Sequence, residues 1–153
     1  MGSEFTLPVV VLAGLAFGVG LWIAIGWFVS RVTGWAELAR LYPGDRRPFR
    51  GDWIRWQSLQ LRGFGGYNNA VRVGAGEEGL QIEMLWAFRI GHDPFFVPWS
   101  EVRGAEAGRR FFVPFVKLKL LRAPDIPLVI PARLAQRIEQ RVGRRWPAVA
   151  PNR

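Results

Sequence analysis

The chain has 153 residues, enough for one domain and an anchor, and half of them are apolar, which excludes a disordered polymer. It has no cysteine and a single histidine, His92, so disulfides, thiolate metal sites and multi-histidine sites are excluded within one chain. Twenty-one basic residues stand against 12 acidic ones; Lys117 and Lys119 are the only lysines, and the net charge of +9 favours an anionic neighbour.

Residues 1–5 include Gly-Ser-Glu-Phe, which two adjacent cloning sites encode, so this stretch reads as a scar rather than native sequence. Residues 5–30 then carry no charge. At about 1.5 Å per residue, the run from Leu7 to Ser30 makes a helix about 36 Å long, enough for a hydrocarbon core of about 30 Å with some tilt. A transmembrane helix is therefore expected over residues 6–32. Pro8 suits its first turn, and Trp22, Trp27 and Trp35 read as an interfacial aromatic belt. A cleaved leader fits less well, because no basic region precedes the run and the run is too long. Arg31, Arg40, Arg46, Arg47 and Arg50 follow the span, so the positive-inside rule places the N-terminus outside and the rest in the cytoplasm of a bacterial inner membrane. Gly14 and Gly18 form a GxxxG pair, and Ala16, Gly20 and Ala24 form a second small-residue stripe. Both are candidate packing faces for a partner helix or a second copy.

Residues 33–52 read as a juxtamembrane short helix and basic linker. Thr33 is the expected N-cap, and Trp35, Leu38 and Tyr42 form an apolar face that lies on the interface or covers the domain. Pro43-Gly44-Asp45 stops that helix. Arg46, Arg47 and Arg50 are candidate contacts for anionic lipid or a partner, each near the surface contributing about 1 kcal/mol.

From residue 53 the pattern becomes β-type. Strands are expected at 53–62, 70–75, 80–84, 86–90 (after a break at Met84-Leu85), 95–102, 111–121 and 126–131, with 63–69 as a glycine-rich turn. Residues 132–143 make an amphipathic helix on Leu134, Ala135, Ile138 and Val142, with Gly143 as its C-cap, and 146–153 are a tail. About seven antiparallel strands followed by one helix imply a curved, partly open barrel over 53–145, plugged by the helix. This is the architecture of PH-like domains, which host many functions.

The segments "GWAELARLYP", "YNNAVRVG", "GLQIEML" and "FRIGHDPFFVPWSEV" resemble an uncharacterised family of bacterial single-pass membrane proteins with a cytoplasmic PH-like (GRAM-like) domain. The resemblance covers most of 33–103. It implies a cytoplasmic PH-like module on one helix and brings no catalytic residues.

Among residues that could carry chemistry, His92 lies between Gly91 and Asp93-Pro94 and reads as part of a turn, because no nucleophile setting accompanies it. Trp99 in "PWSEV" reads as core, and Tyr67-Asn68-Asn69 as turn structure rather than a binding rim. "GFGG" lacks the Gly-Lys-Ser/Thr ending of a phosphate loop. Arg109 and Arg110 beside Phe111 and Phe112 are the leading surface cluster: either a hairpin tip with buried phenylalanines or a contact for head groups or a partner. The expectation is a non-catalytic module that binds a protein partner, anionic lipid or both, with no cofactor and no metal. The alternative is an accessory subunit docking through the glycine-rich span. An enzyme or a nucleic-acid binder is disfavoured.

Overall fold

The computed structural model describes residues 6–44 and 48–151. Arg46, Arg47 and the 1–5 segment lie outside the described residues.

The uncharged run is one helix, α1 (Thr6–Thr33), long and apolar enough to cross a membrane. Its N-terminal half is exposed. Ser30 and Thr33 at its C-terminal end are buried against the domain. A second helix, α2 (Trp35–Leu41), follows after one residue. Gly34 makes the corner at φ 90, where a side chain would also meet Ile126 and Arg62. Gly34 thus occupies the N-cap position expected of Thr33, whose hydroxyl turns back to the Val29 carbonyl, 2.9 Å away. The apolar face of α2 covers the domain: Trp35, Leu38 and Tyr42 are buried in its core. Trp35 therefore leaves the expected aromatic belt, because the Gly34 corner rotates it off the span and into the sheet.

The β-rich region is a single curled, half-barrel sheet with eight strands among the described residues: β1 (Asp52–Leu61), β2 (Gly65–Ala75), β3 (Gly79–Met84), β4 (Phe95–Pro98), β5 (Val102–Arg110), β6 (Val113–Leu120), β7 (Leu128–Pro131) and β8 (Val149–Pro151). Their order is β4-β3-β2-β1-β7-β6-β5-β8, antiparallel except for the β5–β8 pair. Alternation explains the core. Val71 and Val73 of β2, Leu80 and Ile82 of β3, and Val116, Leu118 and Leu120 of β6 all point inward. The helix α3 (Ala132–Val142) contacts β2, β6 and β7, so it bridges the two arms of the curl, with Leu134, Ala135 and Ile138 buried. Gly143 caps it at φ 57, its N–H donating to the Glu139 carbonyl.

The β4 edge of the sheet is covered, and the other edge is the short, three-residue β8, which ends in Pro151. The chain after α2 runs along β4, with the Phe96 N–H donating to the Tyr42 carbonyl and Pro43 bridged to Phe95. β8 covers β5.

The strand expectations need five corrections. Residues 86–90 are not a strand but a 3-10 turn (Trp86–Phe88) and loop, because β4 pairs only as far as Ile82 and offers them no partner. Residues 99–101 are also a 3-10 turn. β5 was not expected, since "VRGAEAGRR" lacks apolar alternation, nor was β8 in the tail. β2 starts at Gly65, which shortens the glycine-rich turn: Gly65 sits under Thr33, where a Cβ would lie 2.5 Å from the threonine methyl.

Candidate membrane-docking site

The domain is fixed to the C-terminal half of α1 by three groups of contacts. The first is a close approach of two glycines. A Cβ on Gly26 would lie 3.1 Å from the Ile90 carbonyl oxygen, and one on Gly91 would lie 2.9 Å from the Trp27 Cα. Gly91 also has φ 72. The second is the ring of Phe88 against Trp22, with centroids 5.9 Å apart. Trp22 precedes Arg31, the first charge after the span, by about 13 Å along the helix axis. The third is polar. Arg62 donates to the Val32 carbonyl at 3.3 Å and to Glu37 at 2.7 Å, and the Thr33 hydroxyl lies 2.6 Å from that of Tyr67.

Tyr67 leads to His92. The tyrosine hydroxyl is 3.0 Å from Nε2, and Nδ1 is 2.9 Å from the Ile90 carbonyl. A carbonyl only accepts, so Nδ1 carries a proton and donates to it. In neutral His92, Nε2 then accepts from Tyr67, and Tyr67 accepts from Thr33. Protonation at Nε2 reverses the chain with every group still satisfied: His92 donates to Tyr67, Tyr67 to Thr33, and Thr33 to the Val29 carbonyl. Trp35 closes the cluster. Its ring meets Tyr67, His92 and Phe95 edge-on at centroid distances of 5.2, 5.3 and 5.0 Å, and its Nε1 donates to the Asp93 carbonyl at 2.8 Å. His92 is therefore a buried bridge between the loop and α1.

Burial lowers the His92 pKa below 6.5, against smaller opposite effects of the Ile90 carbonyl and the Asp93 charge. The unfolded chain then binds the extra proton more readily than the folded one. Stability is complete above about pH 6.5 and falls as pH drops through the folded value. Denaturation midpoints of the wild type should decrease from about pH 7.5 to 5.5, and His92→Gln should show a shallower slope over that range. Equal slopes would remove His92 from the linkage. Glu106, exposed and held below its ordinary carboxylate value by its bond to Lys119, acts only at lower pH.

The remaining face of this end of the domain is apolar and open. Trp86 is 87% exposed, and Phe88 and Ile90 are partly so. The β5–β6 hairpin presents Phe111 and Phe112 at 91% and 93% exposure, which excludes the reading of buried phenylalanines at that tip. Both have positive φ, 46 and 69, between the paired residues Arg110 and Val113. A two-residue hairpin turn demands this geometry and ordinarily uses Asn-Gly. Holding a bulky L-residue there costs about 1–2 kcal/mol each. Neither ring contributes to the core, so Phe111→Asn/Phe112→Gly should raise stability by about 1–3 kcal/mol in denaturant titrations. An unchanged or lower stability would place the rings in a structural role.

Arg110 bonds the Gly63 carbonyl at 3.1 Å and Gln60 at 3.3 Å, which ties the β5–β6 tip to the β1–β2 turn with its exposed Phe64. That turn in turn touches Val32 and Thr33 of α1. Arg109 and Arg110 thus sit near the C-terminal end of α1. Arg50 does not: it precedes β1, about 30 Å along the strand from the turn that meets α1. Arg50 instead borders a cleft with Glu77, Glu78 and Phe49 at the far end of the sheet. Gly14, Gly18 and Gly20 have no atom within 4 Å of a built Cβ, and Ala16 and Ala24 are exposed, so the domain leaves both stripes uncovered. Tyr67 and Gly91, expected only as turn residues, and Gly26, not singled out, all face the contact between α1 and the domain. Gly26 continues the span's glycine pattern, but its partner lies far along the chain.

Among the described residues no group of three His, Asp or Glu side chains could hold a metal. Comparison with family models and with curated proteins finds no match for this chain.

Proposed function

We propose that the chain is a non-catalytic, membrane-anchored PH-like interaction module on the cytoplasmic face of a bacterial inner membrane, with its domain resting on the lipid beside its own span. The observation that carries this reading is the contact of the 85–91 loop with Trp22 and Trp27, about 6–13 Å before the first charge of the span. Interfacial elements bury their apolar faces about 5–10 Å into the boundary between head groups and acyl chains. The burial of Ser30 and Thr33 supports a permanent span over a cleaved leader, since these residues belong to the fold. The arginines after the span support a cytoplasmic domain. Seven antiparallel strands curling around a C-terminal helix support the PH-like assignment. Exposed Phe111 and Phe112, held at a conformational cost beside Arg109, fit contact with anionic lipid.

The full-length protein in vesicles tests the lipid contact. A fluorophore on Val113→Cys should shift to the blue when phosphatidylglycerol is added to phosphatidylcholine, and the Phe111→Asn/Phe112→Gly background should abolish the shift. A Val113 label that behaves like one on Glu77→Cys, at the far end of the sheet, would remove lipid from the reading. The bare Gly14 and Gly18 face favours a second reading, an accessory subunit docked through the span. Loss of a co-purifying membrane protein in Gly14→Ile/Gly18→Ile would support it.

A further inference from the structure

A cleft of about 190 Å³ opens between α1 and the domain. One wall is α1 from Trp22 to Val29, and the other is Ala70, Met84, Phe88 and Ile90. At its floor lie Tyr67 and His92, whose polar atoms are already engaged with each other, with Thr33 and with the Ile90 carbonyl. The floor therefore asks for no polar group from a ligand, and the rest of the lining is almost wholly apolar. The apolar lining of the cleft suits a segment of an extended hydrocarbon chain.

We propose that this cleft holds one acyl chain of a membrane phospholipid. The inference rests on reading α1 as a span. The α1 wall of the cleft lies upstream of Arg31, at a depth where acyl chains are the solvent and cover any apolar surface left open. A chain seated there would be in contact with span and domain at once and would fill the space between them. The exposed guanidinium of Arg31 stacks on Trp27, 3.5 Å from the ring centroid, about half a turn beyond the cleft, where a phospholipid head group would sit.

The test uses the full chain in phosphatidylcholine vesicles doped with a phosphatidylcholine that carries a mid-chain diazirine. After irradiation, adducts are mapped by peptide mass spectrometry. Three sets of residues report separately: Leu12 and Phe17 on the bare span, Trp86 on the loop, and the β2 segment holding Tyr67 and Ala70 inside the cleft. The expected result is labelling of all three sets in the wild type. Ala70→Trp, which fills the cleft, should lose the β2 adducts and retain those on Leu12 and Phe17. Labelling of span and loop without β2 in the wild type would overturn the acyl-chain site and leave the docked module standing. β2 adducts that persist in Ala70→Trp would also overturn it. Absence of adducts on Leu12 and Phe17 would remove the span itself, and the cleft proposal with it.

Discussion

Trp35→Ala should lower the stability of the domain by about 3–5 kcal/mol, the range for deleting a large buried aromatic. The residue is fully buried, and three aromatic rings, Tyr67, His92 and Phe95, rest on its faces and edges. Its indole N–H is a bonding partner of the Asp93 carbonyl, and its removal leaves that carbonyl to water or to nothing. Since whole domains are stable by only about 5–15 kcal/mol, this single change uses a large share of the margin. Trp35→Phe keeps a ring in place and should lose less. Near-ultraviolet circular dichroism during denaturant titration in detergent measures both. A loss under about 1 kcal/mol for Trp35→Ala would mean that the helix carrying it is not part of the core.

Gly91→Val should have the second largest effect, and its size can be separated into two parts. A branched residue at φ 72 strains the backbone by about 1–2 kcal/mol. The new Cβ would also meet the Trp27 backbone at 2.9 Å, and overpacking of this kind costs about 1–3 kcal/mol. Gly63 provides the control. It has φ 78, but nothing lies within 4 Å of a built Cβ. Gly63→Val should therefore show the backbone effect alone. The excess in Gly91→Val reports the docking of the 85–91 loop on α1. Pulsed electron paramagnetic resonance between labels on Ile23→Cys and Ala87→Cys should show that distance widen in Gly91→Val and stay narrow in Gly63→Val. The absence of native cysteine makes such labelling specific. An unchanged distance would contradict the close approach of span and loop.

The features legible in the sequence are those with a local physical signature. An uncharged run has no favourable solvent except lipid or a core, so α1 was readable. Alternation at Val71 and Val73, and at Val116, Leu118 and Leu120, follows from the pleat of a half-buried strand. The i, i+1, i+4, i+8 spacing of α3 and its terminal Gly143 likewise need no tertiary knowledge. The misreadings share a different cause. Trp86, Phe88 and Ile90 alternate like a strand, but their apolar partners are the span and open surface rather than a neighbouring strand. For Phe111 and Phe112 the sequence leaves a buried hairpin tip and an exposed contact both open, because nothing local signals a turn that exposes both. β8 forms because Trp146 packs edge-on against Trp99, centroids 6.0 Å apart, and leads the tail alongside β5. That contact spans 47 residues and is invisible to any local window. The Thr33–Tyr67–His92 chain joins three separate segments and was equally hidden. Its only hint was a lone histidine beside a glycine whose φ has to be positive.

The position of the 85–91 loop is the most direct test of the whole account. A nitroxide on Trp86→Cys of the full-length protein in lipid nanodiscs reports its depth through relative relaxation by oxygen and by a water-soluble nickel complex. The account predicts access to oxygen and protection from nickel, with the opposite result for Glu77→Cys on the far turn. Equal nickel access at both sites would mean that the head stands clear of the lipid on which it is argued to rest.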